Sequence, residues 1–151
     1  KAIFELSSNS AQRFIENNSK SEDFETRLKV ATLRHLLFVV HDIDAKKYVS
    51  AKELIRLLSE YKGGKITPNF FYRKVIASLR DDGVIIASCS KGYKIPISHR
   101  DIIDYINSTV GIVGPMLSRL GRCRSLILSK TDGNLDILDE QAFLCYKKYF
   151  D

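Results

Sequence analysis

The sequence predicts a mainly α-helical fold with one small antiparallel β-hairpin and a long C-terminal helix. Apolar residues recur every three or four positions over most of the 151-residue chain, which is the period of helices packed on one side. Two short segments rich in β-branched residues, 84–88 and 93–97, flank Ser90-Lys91-Gly92, which is typical of a tight hairpin turn. The hairpin is therefore expected between two helical regions.

Two helices are predicted in the first 60 residues. The first spans residues 21–41, and its apolar stripe consists of Val30, Leu33, Leu37 and Val40. The second begins at Ser50 and Glu53, which form a capping box, because each side chain can satisfy a backbone N–H that the helix leaves unpaired. Gly63-Gly64 ends it. Residues 2–6 and 48–49 are predicted as short strands, 10–15 as a helical turn and 17–21 as a polar linker.

A third helix is predicted over residues 67–80. Thr67 suits the N-cap, and Pro68 suits the first helical position, where its missing N–H costs nothing. Gly83 is the expected stop. The hairpin then follows directly, so the order from residue 22 to 97 is helix, short strand, helix, turn, helix, strand, tight turn, strand.

The last helix is predicted over residues 100–128, after a cap formed by Ser98 and Asp101. Its apolar seam consists of Ile103, Ile106, Val110, Val113, Leu117, Leu120 and Ile127. Pro115 is expected to kink or split this helix. A turn at 132–134 and a terminal helix at 139–150 complete the chain. The predicted domains are an extension at 1–20, a domain at 21–98 and a helical extension at 99–151.

The positive charge of the chain is concentrated in one segment. The formal net charge is +6, of which residues 62–94 hold seven basic and two acidic side chains, or +5. Residues 1–61 hold ten basic and nine acidic side chains, and residues 95–151 hold seven of each. An ordinary solvated surface would spread such an excess, so the clustering favours a polyanionic partner.

The element order, with these lengths, resembles the winged helix-turn-helix superfamily of bacterial and phage proteins. The residues that carry the resemblance are 50–60 for the positioning helix, 63–66 for the turn, 67–80 for the recognition helix and 82–97 for the wing. The stretch that runs from Leu79 through Gly83 to Ile86 is similar to the segment that leaves the recognition helix in many members. The resemblance implies binding of double-stranded DNA.

Helical geometry divides the candidate recognition helix into two sides. At about 100° per residue, the side that must pack on the preceding helices carries Phe71, Tyr72, Val75, Ile76 and Leu79. The opposite side suits the major groove, because Arg pairs with guanine, Asn pairs with adenine, and Ala or Phe can touch a thymine methyl. Lysines and the start of the helix are expected on phosphate or the minor groove. The predicted DNA-binding residues are Lys65, Thr67, Asn69, Phe70, Arg73, Lys74, Ala77, Arg80, Lys91 and Lys94.

No catalytic, metal or cofactor motif is found, so no enzyme activity, metal or cofactor is predicted for this segment. His35 is expected to be a structural histidine. The three cysteines have no metal-ligand spacing, which favours core packing and a reducing cytoplasm. No apolar run approaches the roughly 20 residues of a membrane span.

Three functions remain open. The chain is a transcriptional regulator, or the DNA-recognition part of a larger protein such as a restriction, defence or mobile-element nuclease, or a protein–protein adaptor. The sequence begins at Lys1 rather than Met and shows no ligand-binding motif, and both observations favour the second of these. The helix at 100–128 either forms a homodimer, which would let two copies meet two DNA half-sites, or packs on the stripe of residues 30–40 in its own chain.

Overall fold

A computed structural model describes residues 1–61 and 65–151 of the protein. They form two compact units, Lys1–Ile106 and Asn107–Asp151. The predicted fold class is confirmed, since these residues are mainly helical with a two-stranded antiparallel hairpin and a long C-terminal helix. The turn predicted at Gly63-Gly64 lies outside the described residues.

Four helices and two strands precede the long helix. They are α1 (Ala2–Asn18), α2 (Phe24–Phe38, continued by the π-helical turn Val39–Ile43), α3 (Ala51–Leu58), α4 (Pro68–Phe70, the π-helical Phe71–Ala77 and Ser78–Asp81), β1 (Ala87–Cys89) and β2 (Gly92–Lys94). The long helix α5 (His99–Lys130) begins in the first unit and continues in the second. Two 3₁₀ segments follow it, Ile137–Asp139 and Leu144–Tyr149.

The N-terminal residues form a helix, so the strand predicted at 2–6 is wrong. α1 packs against α2, and its Ala11 is fully buried while Phe4 and Phe14 cover the core. Ser10 Oγ also accepts a hydrogen bond of 3.1 Å from the Ile85 N–H. Packing of an amphipathic face stabilises a helix more than local propensity does, and residues 2–6 alone are too short to show that face.

The predicted N-caps of α3 and α4 are confirmed, but the Glu53 carboxylate lies near His35 and Lys47 rather than completing the predicted capping box. Ser50 Oγ accepts from the Glu53 N–H at 3.1 Å, and Thr67 Oγ1 accepts from the Phe70 N–H at 3.1 Å. The two helices bury one side each against α2. The largest fully buried side chains of this core are Leu28, Leu33, Leu36, Leu54, Leu58, Phe71, Ile76, Leu79, Ile86 and Ile95.

The hairpin is shorter than predicted and its strands are shifted. β1 and β2 pair Ala87 with Lys94 and Cys89 with Gly92, which leaves a two-residue loop of Ser90 and Lys91. The predicted strand at 48–49 reduces to Val49, which exchanges two backbone hydrogen bonds of 2.8 Å with Tyr93. The β-branched residues on either side of the ladder are buried or half-buried without pairing. Their preference for strands therefore reflects burial of the side chain more than pairing.

The second unit ends in two short 3₁₀ segments, so the terminal helix predicted at 139–150 is wrong. Asp136 organises this end of the chain: its Oδ1 accepts from the Leu138 N–H, and its Oδ2 lies 2.7 Å from Arg124 Nη2. Arg124 Nη1 also lies 2.9 Å from Asp151 Oδ1. The predicted turn at 132–134 is present, with positive φ at Asp132 and Gly133.

α5 continues through Pro115 as one helix, so the predicted split at that residue is wrong. Proline removes one backbone donor from a helix. The carbonyl that a proline ring crowds belongs to the residue four positions back, here Gly111. A Cβ added at Gly111 would meet no atom within 4 Å, so this turn of the helix is not tightly packed.

Gly92→Ala should lower the free energy of unfolding more than Gly83→Ala. Both glycines have positive φ, 135° and 88°, which costs a side chain about 1–3 kcal/mol. A Cβ at Gly92 would also collide with the Val49 carbonyl, whereas Gly83 faces open space. Urea denaturation of the two variants measures the difference, and equal losses would contradict the close approach of β2 to Val49.

Asp136→Asn should destabilise the second unit at neutral pH and have progressively less effect in acid. Hydrogen bonds from Arg124 lower the pKa of Asp136 from 3.8 to about 2. The carboxylate is charged in both folded and unfolded states above pH 4, and its contribution is lost as the pH falls towards 2. Denaturation of parent and variant at several pH values tests this, with Asp132→Asn as a control. A difference between parent and variant that stays constant down to pH 2 would refute it.

Candidate nucleic-acid interface

The outer face of α4 carries the exposed polar side chains of the candidate interface. Asn69, Tyr72 and Arg73 are exposed and follow one another at spacings that place them on one side of the helix. The inner face carries Phe71, Val75, Ile76 and Leu79, all of them buried. Thr67 caps the helix and is itself exposed, and Ala77 is half-buried further along the outer face.

Two aromatic residues of α4 face differently from the prediction. Tyr72 was expected in the core but is 50% exposed, beside Arg73. Phe70 was expected on the outer face but is half-buried and packs against the core. Residues 71–77 are π-helical, and a π turn takes up one more residue than an α turn, so the facing arithmetic for a regular α-helix misplaces residues near it.

Four cations remain available to a ligand. Lys65, Arg73 and Lys91 are exposed and Lys74 is half-buried. Within residues 1–61 and 65–151, none of the four forms a hydrogen bond or an ion pair through its side chain. Lys91 sits in the two-residue loop at the tip of the hairpin. Lys62, which the charge count also includes, lies outside the described residues.

The expectation that Lys94 contacts DNA is wrong, because its side chain is only 2% exposed. Its Nζ donates to the Ala45 carbonyl at 2.7 Å and lies 2.8 Å from Asp101 Oδ2. The Tyr48 ring lies 5.4 Å away, and burial followed by the charge of Asp101 raises the pKa of Tyr48 to about 12. Alternation along β2 turns Lys94 inward and leaves the tip of the loop to Lys91.

The expectation that Arg80 faces a base is also wrong. Its Nε and Nη2 both donate to the Ile86 carbonyl, at 3.2 and 2.9 Å, and Nη2 also donates to Ser88 Oγ at 3.0 Å. Its guanidinium carbon lies 4.3 Å from the centre of the Tyr105 ring. The Nε and Nη2 donors of Arg80 are therefore used within the protein.

The exposure of Tyr72 could not be predicted from the sequence, since this position falls on the apolar side of a regular helix. One feature of the sequence pointed to Asp101: it occupies the position at which a capping box that starts at Ser98 would have Glu. Ser98 Oγ does accept from the Asp101 N–H at 3.3 Å, as that box requires. The shorter carboxylate, however, accepts from the Ile97 N–H at 3.0 Å and pairs with Lys94.

Other side chains singled out from the sequence do not join this face. His35 was predicted to be a structural histidine with its hydrogen bonds satisfied, which is wrong for Nε2: this atom is buried without a hydrogen bond among the described residues and lies 3.7 Å from Glu53 Oε1. Cys123 and Cys145 are exposed, so their predicted role in core packing is wrong, and Cys89 is half-buried. The part of the chain that the structure describes holds no cluster of His, Cys, Asp or Glu suited to a metal ion. None of its helices has the length and apolar character of a membrane span.

Comparison with known proteins gives no relative: neither a family model, nor a curated protein, nor a solved structure matches the chain. What the chain binds is therefore inferred from the geometry of α4 and the hairpin.

Proposed function

We propose that the chain binds double-stranded DNA, with α4 in the major groove and the hairpin of β1 and β2 on phosphate or the minor groove. The observation that carries the proposal is the exposed face of Asn69, Tyr72 and Arg73 on a helix whose other side is buried. Arg and Asn are the side chains best suited to bidentate contacts with guanine and adenine. We propose that the chain acts in the cytoplasm, either as the DNA-recognition part of a larger protein or as a transcriptional regulator.

The available cations suit a phosphate backbone on either side of this face. Lys65 precedes α4, Lys74 lies on it and Lys91 marks the tip of the hairpin. Three phosphate contacts would give a slope of log K against log salt of about −2.7. The inward orientation of Arg80 and Lys94 makes this slope smaller than the sequence count of seven basic residues would suggest.

Arg73→Ala should weaken binding to a selected duplex by about 1–3 kcal/mol and relax base preference. Arg34→Ala is the matched control, since Arg34 is exposed on α2 and outside the face. Fluorescence anisotropy with a mixed-sequence duplex and then a site-selected one measures both effects. Absence of parent binding even at low salt would refute the proposal and favour the adaptor role.

Lys91→Ala should weaken every duplex alike and flatten the salt slope by about 0.9, because it removes one phosphate contact. Lys20→Ala, in the exposed loop between α1 and α2, should leave the slope unchanged. The same anisotropy titrations, repeated at several salt concentrations, give both slopes. A Lys91→Ala slope equal to that of the parent would exclude the hairpin from the interface.

We also propose that two copies associate through α5, within the predicted range 100–128. Residues 105–118 of this helix contain no charged side chain. Large apolar side chains are exposed along it: Ile106, Val110, Ile112, Val113, Met116 and Leu120. Glycine at 111 and 114 would let a second helix approach closely. A two-fold dimer would present two copies of α4 to two half-sites.

Val113→Asp should weaken this association at least tenfold, because it would bury a charge between the copies. Ser118→Asp is the matched control, since Ser118 is exposed and lies about 140° around the same helix from Val113. Sedimentation velocity over a range of concentrations measures both variants. A parent chain that stays monomeric at high micromolar concentration would refute the dimer.

A further inference from the structure

Two cations of the basic segment connect the hairpin to the first turns of α5. Arg80, near the end of α4, holds the backbone that leads into β1 through the Ile86 carbonyl and stacks on Tyr105. Lys94, at the end of β2, pairs with Asp101. Asp101 and Tyr105 are one turn apart on α5, and all these contacts lie within the first compact unit.

The hairpin needs such support because it is small. It has three residues in each strand and one isolated bridge, from Tyr93 to Val49. A two-stranded hairpin alone is at best marginally stable in water. The buried pair of Lys94 and Asp101 fixes the end of β2, and it sits three residues from Lys91 at the tip.

We infer that Asp101 is a positioning residue for DNA binding: through Lys94 it holds the hairpin where Lys91 can contact a phosphate. The inference rests on the proposed DNA-binding function and adds a residue that faces no DNA itself. Asp101 is only 12% exposed, and its two oxygens are used by Lys94, the Ile97 N–H and, at 3.5 Å, the Tyr48 hydroxyl. Neutralising it would leave Lys94 buried without a counter-charge.

The test is a double-mutant cycle of Asp101→Asn and Lys91→Ala, with duplex affinity measured at several salt concentrations. Asp101→Asn alone should flatten the salt slope by about 0.9, as loss of the Lys91 contact would. Adding Lys91→Ala to it should change neither slope nor affinity further, while the base preference set by Arg73 is retained. Two results would overturn the inference: losses of affinity that add in the double variant, or an Asp101→Asn variant that keeps the parent salt slope but has a smaller fraction of active protein. Either result would show that the role of Asp101 is only structural.

Asp104→Asn is the matched control on the same helix. Asp104 lies 3.1 Å from Arg100, whose side chain is 79% exposed, and the change should leave slope and affinity as in the parent. An Asp104→Asn slope as flat as that of Asp101→Asn would also overturn the inference. Lys94→Met is a second variant should Asp101→Asn fail to fold, because it removes the buried cation and leaves Asp101 bonded to the Ile97 N–H.

Amide hydrogen exchange on the DNA-free protein separates failure of the inference from failure of the proposed function. The Val49 and Tyr93 amides bond each other's carbonyls and report the position of β2 directly. Their exchange should be faster in Asp101→Asn and Lys94→Met, while buried amides of α2 keep the parent rate. Unchanged exchange overturns the inference whatever the duplex result. If exchange is faster in the two variants but the parent binds no duplex, the proposed function is refuted, while positioning of the hairpin by Asp101 is still supported.

Discussion

The buried ion pair of Lys94 and Asp101 is the interaction on which the arrangement of the first unit most depends. It joins the end of the hairpin, the carbonyl of Ala45 before α3 and the first turn of α5. Removing one partner of such a pair typically costs about 3–5 kcal/mol, since the other charge stays buried. Both residues would be taken for surface charges from the sequence alone. In the fold they are buried together and connect three segments of the chain.

Local signals predicted the elements around the candidate site well. The N-caps at Ser50 and Thr67 could be predicted because each hydroxyl accepts a hydrogen bond from an N–H only three residues further along the chain. The buried side of α4 was visible for a similar reason, with four of its five predicted members in the core. The exception is Tyr72, which lies in the π-helical residues 71–77. A helical wheel assumes α-helical geometry and therefore misplaces its side chain.

The sequence does not show which residues contact each other when they are far apart along the chain. α1 packs on α2, a contact between segments that the residues of α1 alone do not indicate. Arg80 was predicted as a DNA contact because it falls on the outer side of a regular helix, and Lys94 because it lies in the hairpin. Access to solvent, however, is decided by the fold. The number of basic residues in a segment is therefore an upper bound on the charge that a polyanion can meet.

The two-residue loop of Ser90 and Lys91 limits how far the hairpin extends. Three residues in each strand span only about 10 Å at the rise of a β-strand. The major groove is about 12 Å wide and the minor groove about 6 Å. The paired strands are therefore shorter than the major groove is wide, and any reach beyond them would come from the loop and the Lys91 side chain. A single copy would then cover a short stretch of duplex, so a longer footprint in protection experiments would have to come from a second copy or another part of a larger protein.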